Sequence, residues 1–192
     1  MVSTASAGAS IRYLIDTRAS QFTVQAFASG LISALSHSPK IAIREWTGEV
    51  QVAASATGSS SLKVRVKTAS LEVVDELKES ERHEIHRVMK MEVLDTDRFP
   101  EIVFDSSEVR LEKQKDDLYR ASVVGKLNLH GVTGNQEFFS QVALGVDTAR
   151  AYGNFSLRQS DYNIPIASIA GGTLKLQDEL KFSFYVVASR QR

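Results

Sequence analysis

A chain of 192 residues falls within the size of a single domain and can bury a hydrophobic core without covalent staples. Its 23 basic and 23 acidic residues cancel, so the composition does not indicate a basic surface of the kind that binds nucleic acid. The chain contains no Cys, which excludes disulfides, thiolate metal sites and Cys nucleophiles.

The first ten residues do not have the pattern of a signal peptide. They contain no Lys or Arg and no apolar stretch of the required length. The sequence has no run of about 18 apolar residues, so a transmembrane helix is not predicted. We expect a protein without stable membrane insertion that is cytoplasmic as the sequence stands, or periplasmic if a leader has been trimmed from it.

Apolar and polar residues alternate along most of the chain, which is the pattern of β-strands with one buried face and one exposed face. The clearest example is the segment 62–68 (LKVRVKT), in which Leu and Val alternate with Lys and Arg. Eight strands are predicted, at Gln21–Phe27, Ile41–Val52, Leu62–Thr68, Ile102–Leu111, Tyr119–His130, Glu137–Leu144, Ala149–Arg158 and Leu180–Ala188.

The connections between these strands are short and rich in turn residues. The segment 131–135 (GVTGN) separates two predicted strands, and Gly145 with Asp147 separates the next two. Short connections between amphipathic strands predict an antiparallel meander, and eight such strands close naturally into a barrel. The predicted fold class is therefore all-β, an eight-stranded antiparallel barrel.

The apolar parity slips within Ile41–Val52. Ile43 belongs to one parity and Trp46 to the other. A β-bulge near Arg44–Glu45 would direct both side chains to the interior, and bulges are common where barrel strands bend.

One segment has the pattern of a helix. Residues 76–93 contain no Gly or Pro and are rich in good helix formers. The residues at helical spacing are Ile85, Val88, Met89 and Glu92. Asp75 is predicted to cap the start of this helix. We expect the helix to pack across the barrel, over one end.

The inward parity of two predicted strands runs from small to large residues in the same chain direction, from Ala121 to Leu129 and from Ala149 to Leu157. Small residues should therefore gather at one end of the barrel and leave room for an apolar ligand. The alternative is that helix 76–93 or a long side chain fills this room. The residues predicted to line an apolar cavity are Phe22, Val24, Val64, Val66, Phe104, Ala121, Val123, Gly125, Leu127, Ala151, Gly153, Phe155, Phe182 and Phe184.

The four His residues are the candidate catalytic or metal-binding groups. His83 and His86 are three residues apart on the predicted helix without a third ligand nearby in sequence, which favours a solvated helix face over a metal site. His37 lies in a predicted surface turn. His130 has no carboxylate or nucleophile nearby in sequence, which favours a structural hydrogen bond across the hairpin. No catalytic residue and no metal ligand is predicted.

The remaining motifs predict no further chemistry. Arg158 and Asp161 are expected to form an ion pair that fixes the loop after a strand. Gly171 and Gly172 lack the spacing of a dinucleotide-binding or phosphate-binding loop. The sequence therefore predicts neither an active site nor a nucleotide site.

Three motifs follow one another along the chain: RFPEIVF at 98–104, LNLHGVT at 127–133 and FSLRQSDY at 155–162. With shorter matches, they resemble the YceI family of polyisoprenoid-binding proteins over about residues 12–188. The segment 82–87 (RHEIHR) is more charged than the corresponding family pattern. The resemblance implies a lipocalin-like antiparallel barrel that encloses an elongated apolar cavity.

The resemblance also implies a domain organisation and a function. Residues 1–11 would be a flexible N-terminal segment, and 12–192 a single YceI-like domain. The domain would bind and transport a polyisoprenoid, an isoprenoid quinone or a similar lipid, without catalysis and without another cofactor.

Two alternative functions stay open at this point. One is a structural or stress-related barrel that acts through a protein partner. The other is an enzyme that depends on His130, or on His83 and His86. Homodimerisation also stays open, and no nucleic-acid partner is expected.

Overall fold

The computed structural model describes residues 10–29, 38–53, 59–166, 168–169 and 174–191, and β-strands make up most of this part of the chain. The strands are β1 (Ser10–Ile15), β2 (Gln21–Ser29), β3 (Lys40–Ile43), β4 (Trp46–Ala53), β5 (Ser61–Lys67), β6 (Leu71–Val73), β7 (Glu101–Lys115), β8 (Leu118–Leu129), β9 (Val132–Leu144), β10 (Thr148–Arg158), β11 (Ser168–Ile169) and β12 (Leu174–Arg190).

Eight of these strands form a closed ring. The order around the ring is β1, β4, β5, β7, β8, β9, β10 and β12, and β12 pairs back onto β1. All of these pairings are antiparallel. At the closing contact Ile15 lies opposite Ala188. The eight-stranded antiparallel barrel predicted from alternation is confirmed.

Strands β2, β3 and β6 continue ring strands past local breaks. β1 and β2 both run antiparallel to β12, so they are two parts of one bent strand. β3 and β4 are related in the same way, and the break between them falls at Arg44–Glu45, where the parity slip predicts a bulge. The hydroxyl of Ser70 accepts a hydrogen bond from the Glu45 backbone N–H at 2.9 Å. Ile43 and Trp46, on either side of the break, are both buried.

The hairpin between β8 and β9 is tighter than predicted. Its turn consists of His130 and Gly131, whose φ angles of 51° and 75° are those of a two-residue hairpin turn. β9 therefore begins at Val132, well before its predicted start. Gly134 therefore lies inside this strand and not in a turn. Its missing side chain leaves room for the ring of Tyr162.

Some strands, and the start of one long strand, are not predicted by the alternation in the sequence. β6 and β11 were not predicted, because three and two residues are too few for alternation to be recognised. β1 was not predicted because Leu14, an apolar residue on its exposed face, interrupts the alternation. β12 begins at Leu174 and not at Leu180. Its register with β2 shifts between Leu176 and Leu180, and this irregularity interrupts the alternation in the first part of the strand.

The predicted helix is present but begins later. Helix α1 spans Glu79–Val88 and continues as one π-helical turn over Met89–Val93. The prediction that Asp75 caps the helix is wrong, because its carboxylate accepts a hydrogen bond from the Lys40 backbone N–H at 2.7 Å. Lys78 occupies the N-cap position and makes no side-chain cap. In the part of the chain that the structure describes, no helix is long and apolar enough to cross a bilayer.

The hydrophobic core lies in the barrel interior. One group of buried side chains includes Phe104, Val123 and Leu157 from the main hairpins. A second group includes Trp46 and Met89, so the helical segment packs onto the barrel. The half-buried side chain of Phe182 contacts both groups and joins them.

Replacing Gly131 with Ala is expected to destabilise the fold. A Cβ at this position would lie 2.6 Å from Cε1 of Phe99, and a φ of 75° is unfavourable for any L side chain. We expect a loss of about 1–3 kcal/mol in the free energy of unfolding, measured by urea denaturation. Gly145→Ala is the matched control, because its Cβ would lie 3.3 Å from the nearest atom and no positive φ is involved. Equal unfolding midpoints for the two variants would contradict this account of the turn.

Candidate ligand-binding cavity

An apolar cavity of about 430 Å³ occupies the barrel interior. It arises because alternate residues of each strand point inward while the others point to solvent. On β9, Phe138 and Val142 line the cavity, whereas Phe139 is exposed on the outer face. The volume lies in the range of small-molecule pockets in proteins, roughly 300–1,000 Å³.

The structure places all but two of the predicted lining residues on the cavity wall. Those on the wall are Phe22, Val24, Val64, Val66, Phe104, Ala121, Val123, Leu127, Ala151, Phe155, Phe182 and Phe184. The two exceptions are Gly125 and Gly153, which do not line the cavity.

Aromatic rings cover both of these glycines. A Cβ on Gly125 would lie 2.6 Å from Cζ of Phe104, and one on Gly153 would lie 2.7 Å from Cζ of Phe184. The expectation that these two glycines leave open space is therefore wrong. Gly153 and Phe184 are direct cross-strand partners, so the space left by the missing side chain is taken by the ring opposite.

A cluster of aromatic rings forms a large part of the cavity wall. The rings of Phe155 and Phe182 stack with centroids 4.8 Å apart and planes 7° apart. Phe138 stacks on the other side of Phe155 at 5.4 Å. Phe22 contacts Phe182 at 6.2 Å and meets Trp46 edge-on at 5.7 Å. Such rings supply a rigid apolar surface, so the wall offers dispersion contacts and few hydrogen bonds.

Polar side chains on the wall are few, and two of the buried ones donate hydrogen bonds to the backbone. The Ser140 hydroxyl donates to the Tyr152 carbonyl at 3.1 Å. The Gln159 side-chain amide donates to the Gln177 carbonyl at 2.9 Å. Because these groups are engaged with the backbone, the described interior wall is apolar in character.

Sequence reasoning missed the helical side of the cavity. The residues of α1 and the π-helical turn that line it are Glu84, Ile85, Arg87, Val88, Met89, Glu92 and Val93. The sequence contained this information, because the four residues whose helical spacing predicts the helix, Ile85, Val88, Met89 and Glu92, are all among these lining residues. A helix that packs across a barrel must direct the face that carries its apolar residues toward the interior.

Three charged side chains of this segment form an ion-pair network. Arg87 donates to the Glu84 carboxylate through Nε at 3.0 Å and Nη2 at 2.9 Å, and to Glu92 through Nη1 at 2.9 Å. These hydrogen bonds raise the pKa of Arg87, and the hydrogen bond from Arg87 lowers the pKa of Glu84. The side chains are 49% (Arg87), 57% (Glu84) and 58% (Glu92) exposed, which places the network where the cavity meets solvent.

His86 anchors the helix to the barrel. Its Nε2 accepts a hydrogen bond from the Val73 backbone N–H at 2.9 Å. Next to it, Arg82 donates to the Asp75 carbonyl at 2.9 Å. The prediction of a solvated face fits the exposed His83 but is wrong for His86.

The His residues do not assemble a metal site in the described part of the chain. No group of three or more His, Asp or Glu residues there is arranged to hold a metal ion. His37 lies outside the described residues. The ring of His130 packs against Phe99 in a tilted arrangement with centroids 4.3 Å apart. Its Nδ1 is buried and has no hydrogen-bond partner among the described residues, so the contact with Phe99 stands where a hydrogen bond was predicted.

The ion pair predicted between Arg158 and Asp161 is replaced by another. Arg158 Nε donates to the Asp178 carboxylate at 2.9 Å across the β10–β12 pairing. Asp178 also accepts from the Ser160 backbone N–H at 2.8 Å and from its hydroxyl at 2.6 Å. These hydrogen bonds from Ser160, with that from Arg158, lower the pKa of Asp178 to about 2. A cross-strand partner was not visible from local spacing.

Comparison with known proteins gives a family match over most of the chain. Residues 13–188 match the model of a family described as the YceI-like domain. Among curated proteins, none matches the sequence.

Solved structures share the fold at low sequence identity. BcnA of Burkholderia cenocepacia superposes with a TM-score of 0.69 at 18% identity, over 90% of this chain and 98% of its own. A polyisoprenoid binding domain from Saccharophagus degradans gives 0.68 at 13% identity, over 93% and 98% of the two chains. A YCEI protein of Campylobacter jejuni gives 0.60 at 16% identity, over 82% and 88%. At these identities the likeness establishes the fold alone.

The anchor at His86 is expected to weaken in mild acid. Burial, and next the charge of Lys90, lower the pKa of His86 in the folded protein. A base whose pKa is lowered by folding binds fewer protons in the folded state than in the unfolded state. Its contribution to stability is therefore complete above the unfolded pKa of about 6.5, and it is lost as the pH falls through the lower folded pKa.

His86→Gln tests this dependence, because a Gln carbonyl can accept the same hydrogen bond without titrating. Between about pH 7.5 and about pH 5, the natural chain should lose roughly 1 kcal/mol more unfolding free energy than His86→Gln, the usual worth of one hydrogen bond. Urea denaturation at each pH measures the difference. The matched control is His83→Gln, which should keep the pH dependence of the natural chain. The same pH dependence in all three proteins would contradict the prediction.

Proposed function

Because this chain belongs to the family of YceI-like domains, we propose that it binds and carries a long apolar ligand inside its barrel. The ligand class is a polyisoprenoid, an isoprenoid quinone or a similar lipid. The observation that carries the proposal is the apolar cavity of about 430 Å³. The structural relative from Saccharophagus degradans is described as a polyisoprenoid binding domain, which supports the ligand class.

The cavity suits a chain-like hydrocarbon better than a compact polar molecule. Burial of apolar surface contributes about 25 cal/mol per Å², so a long tail gains affinity with each buried carbon. Two buried polar side chains of the wall, Ser140 and Gln159, already donate hydrogen bonds to the backbone. Such a cavity selects its ligand by length and girth.

The proposed role is carriage without catalysis, by one domain that spans residues 12–192. Two of the described His side chains, His86 and His130, have structural surroundings. His86 holds α1 against β6, and the ring of His130, in the β8–β9 turn, packs against Phe99. Neither arrangement supplies the base and nucleophile pair that covalent catalysis needs.

Native mass spectrometry of the purified chain tests the proposal. A bound species with the mass of an isoprenoid or a quinone, removed by organic extraction, is the expected result. A stoichiometric metal would favour the enzyme alternative. A bare chain that takes up no added isoprenoid, or a chain that is found only with a protein partner, would contradict the proposal.

Ala151→Phe is expected to abolish ligand binding without unfolding the protein. Ala151 lines the cavity on β10 and pairs with Val142 and Val186 of the neighbouring strands. Overpacking a filled core costs about 1–3 kcal/mol, whereas filling a void should cost less. The melting temperature should therefore stay nearly unchanged while uptake of a fluorescent isoprenoid analogue is lost.

The matched control for Ala151→Phe is Ala143→Phe. Ala143 lies on β9 between the lining residues Val142 and Leu144, so its side chain points to the outer face of the barrel. A Phe there adds the same volume outside the cavity. Uptake by this control should be intact. If Ala151→Phe unfolds the protein, the interior is already full and the proposal fails.

Phe155→Ala is expected to have the reverse effect. Its ring stacks between Phe182 and Phe138, so truncation removes the centre of the aromatic cluster. We expect a loss of about 3 kcal/mol in unfolding free energy, measured by denaturation, with binding weakened mainly through instability. Tyr152→Ala, on the outer face and 60% exposed, is the control and should change stability by less than about 0.5 kcal/mol. An unchanged unfolding midpoint for Phe155→Ala would show that the cluster does not stabilise the fold.

A further inference from the structure

The helical side of the cavity carries a net negative charge, and this bears on the polar end of any bound amphiphile. The network of Glu84, Arg87 and Glu92 contains two anions and one cation, and all three residues border the cavity with half-exposed side chains. We propose that this network selects ligands with a neutral or cationic head group and disfavours phosphate and diphosphate head groups. The inference rests on the proposed function, since it concerns the head group of the same ligand.

Arg87 is already engaged with two carboxylates, which compete with any anionic head group. Its Nε and Nη2 donate to Glu84, and its Nη1 donates to Glu92. A phosphate arriving at this site would have to compete with two carboxylates for the same guanidinium. The cation that borders the cavity on the helix is therefore already neutralised, and one carboxylate is in excess.

The strand side of the cavity does not compensate for this charge. Arg150 also borders the cavity, but it lies on β10 between the lining residues Ala149 and Ala151. Because side chains alternate along a strand, its guanidinium belongs to the outer face of the barrel. Among the described residues, the interior wall thus presents no cation that an anionic head group could pair with.

The size of the effect follows from the charges. A diphosphate head with two negative charges, about 5 Å from a net charge of −1 in water, is repelled enough to lower its affinity roughly tenfold. The network is half exposed, so salt should reduce this difference. An uncharged alcohol or quinone head group is not repelled.

A displacement experiment on the full chain tests the inference. A fluorescent isoprenoid labelled at its tail is bound first, and unlabelled isoprenoids of equal length that end in an alcohol or a diphosphate then compete for the cavity, below the concentration at which they form micelles. At low salt the alcohol should compete roughly tenfold better than the diphosphate. The ratio should approach one as the salt concentration rises to about 1 M.

Variants then identify the network as the cause. Glu84→Gln with Glu92→Gln frees Arg87, so the diphosphate should compete as well as the alcohol or better. Adding Arg87→Gln to this pair should remove any preference for the diphosphate. Glu108→Gln with Glu112→Gln, two exposed carboxylates of β7 that do not line the cavity, is the matched control and should keep the natural ratio. The ion pairs are exposed, so melting temperatures should change little and confirm that each variant is folded.

The possible results separate this inference from the proposed function. Equal competition by alcohol and diphosphate in the natural chain, or an unchanged ratio in the Glu84 and Glu92 double variant, would overturn the inference and leave the proposed function standing. If no isoprenoid binds or competes at all, the proposed function fails and the inference fails with it.

Discussion

The pairing of β12 with strands on both of its edges is the constraint on which the rest of this structure depends. One edge pairs with β10 from Thr148 to Arg158. The other edge pairs with β2 and then with β1, which are two parts of one bent strand. Within the described residues the strands therefore pair in a closed ring, although β9 and β10 pair with each other only from Phe139–Leu144 to Ala149–Asn154. Closure also creates the interior, because every inward side chain must either fill that space or line it.

Packing inside the ring divides the interior between filled and open volume. Phe104 and Phe184 take the space beside Gly125 and Gly153, where the missing side chains let the rings approach the opposite strand. Phe155 lies at the centre of a stacked cluster that joins neighbouring strands. What stays open is a cavity with an almost wholly apolar wall, because each strand presents its apolar parity to the inside. The same alternation that stabilises the barrel thus makes it suitable for an apolar ligand.

Helix α1 is the element that places charged side chains beside the apolar cavity. Hydrogen bonds from Val73 to His86 and from Arg82 to Asp75 hold one side of the helix against the barrel. Another face of the helix lines the cavity, and it carries apolar side chains beside the half-exposed ion-pair network. A ligand that buries its tail among the aromatic rings and meets solvent near this helix would encounter a net negative charge. In this chain, the apolar interior and the helix can therefore set different aspects of ligand choice.

The sequence by itself determined the barrel, the helix and most of the cavity wall, because these depend on periodicity. Alternation assigns each strand residue to the inside or the outside, and the motif order from RFPEIVF to FSLRQSDY identifies the family. The tertiary structure decided which small residues leave space and which partner each polar group finds. Gly125 and Gly153 differ from Ala151 because aromatic rings of adjacent strands cover the two glycines. Asp75, His86 and Arg158 bind groups that are remote in the chain or on another element, and local spacing carries no information about distances between strands that only closure brings together.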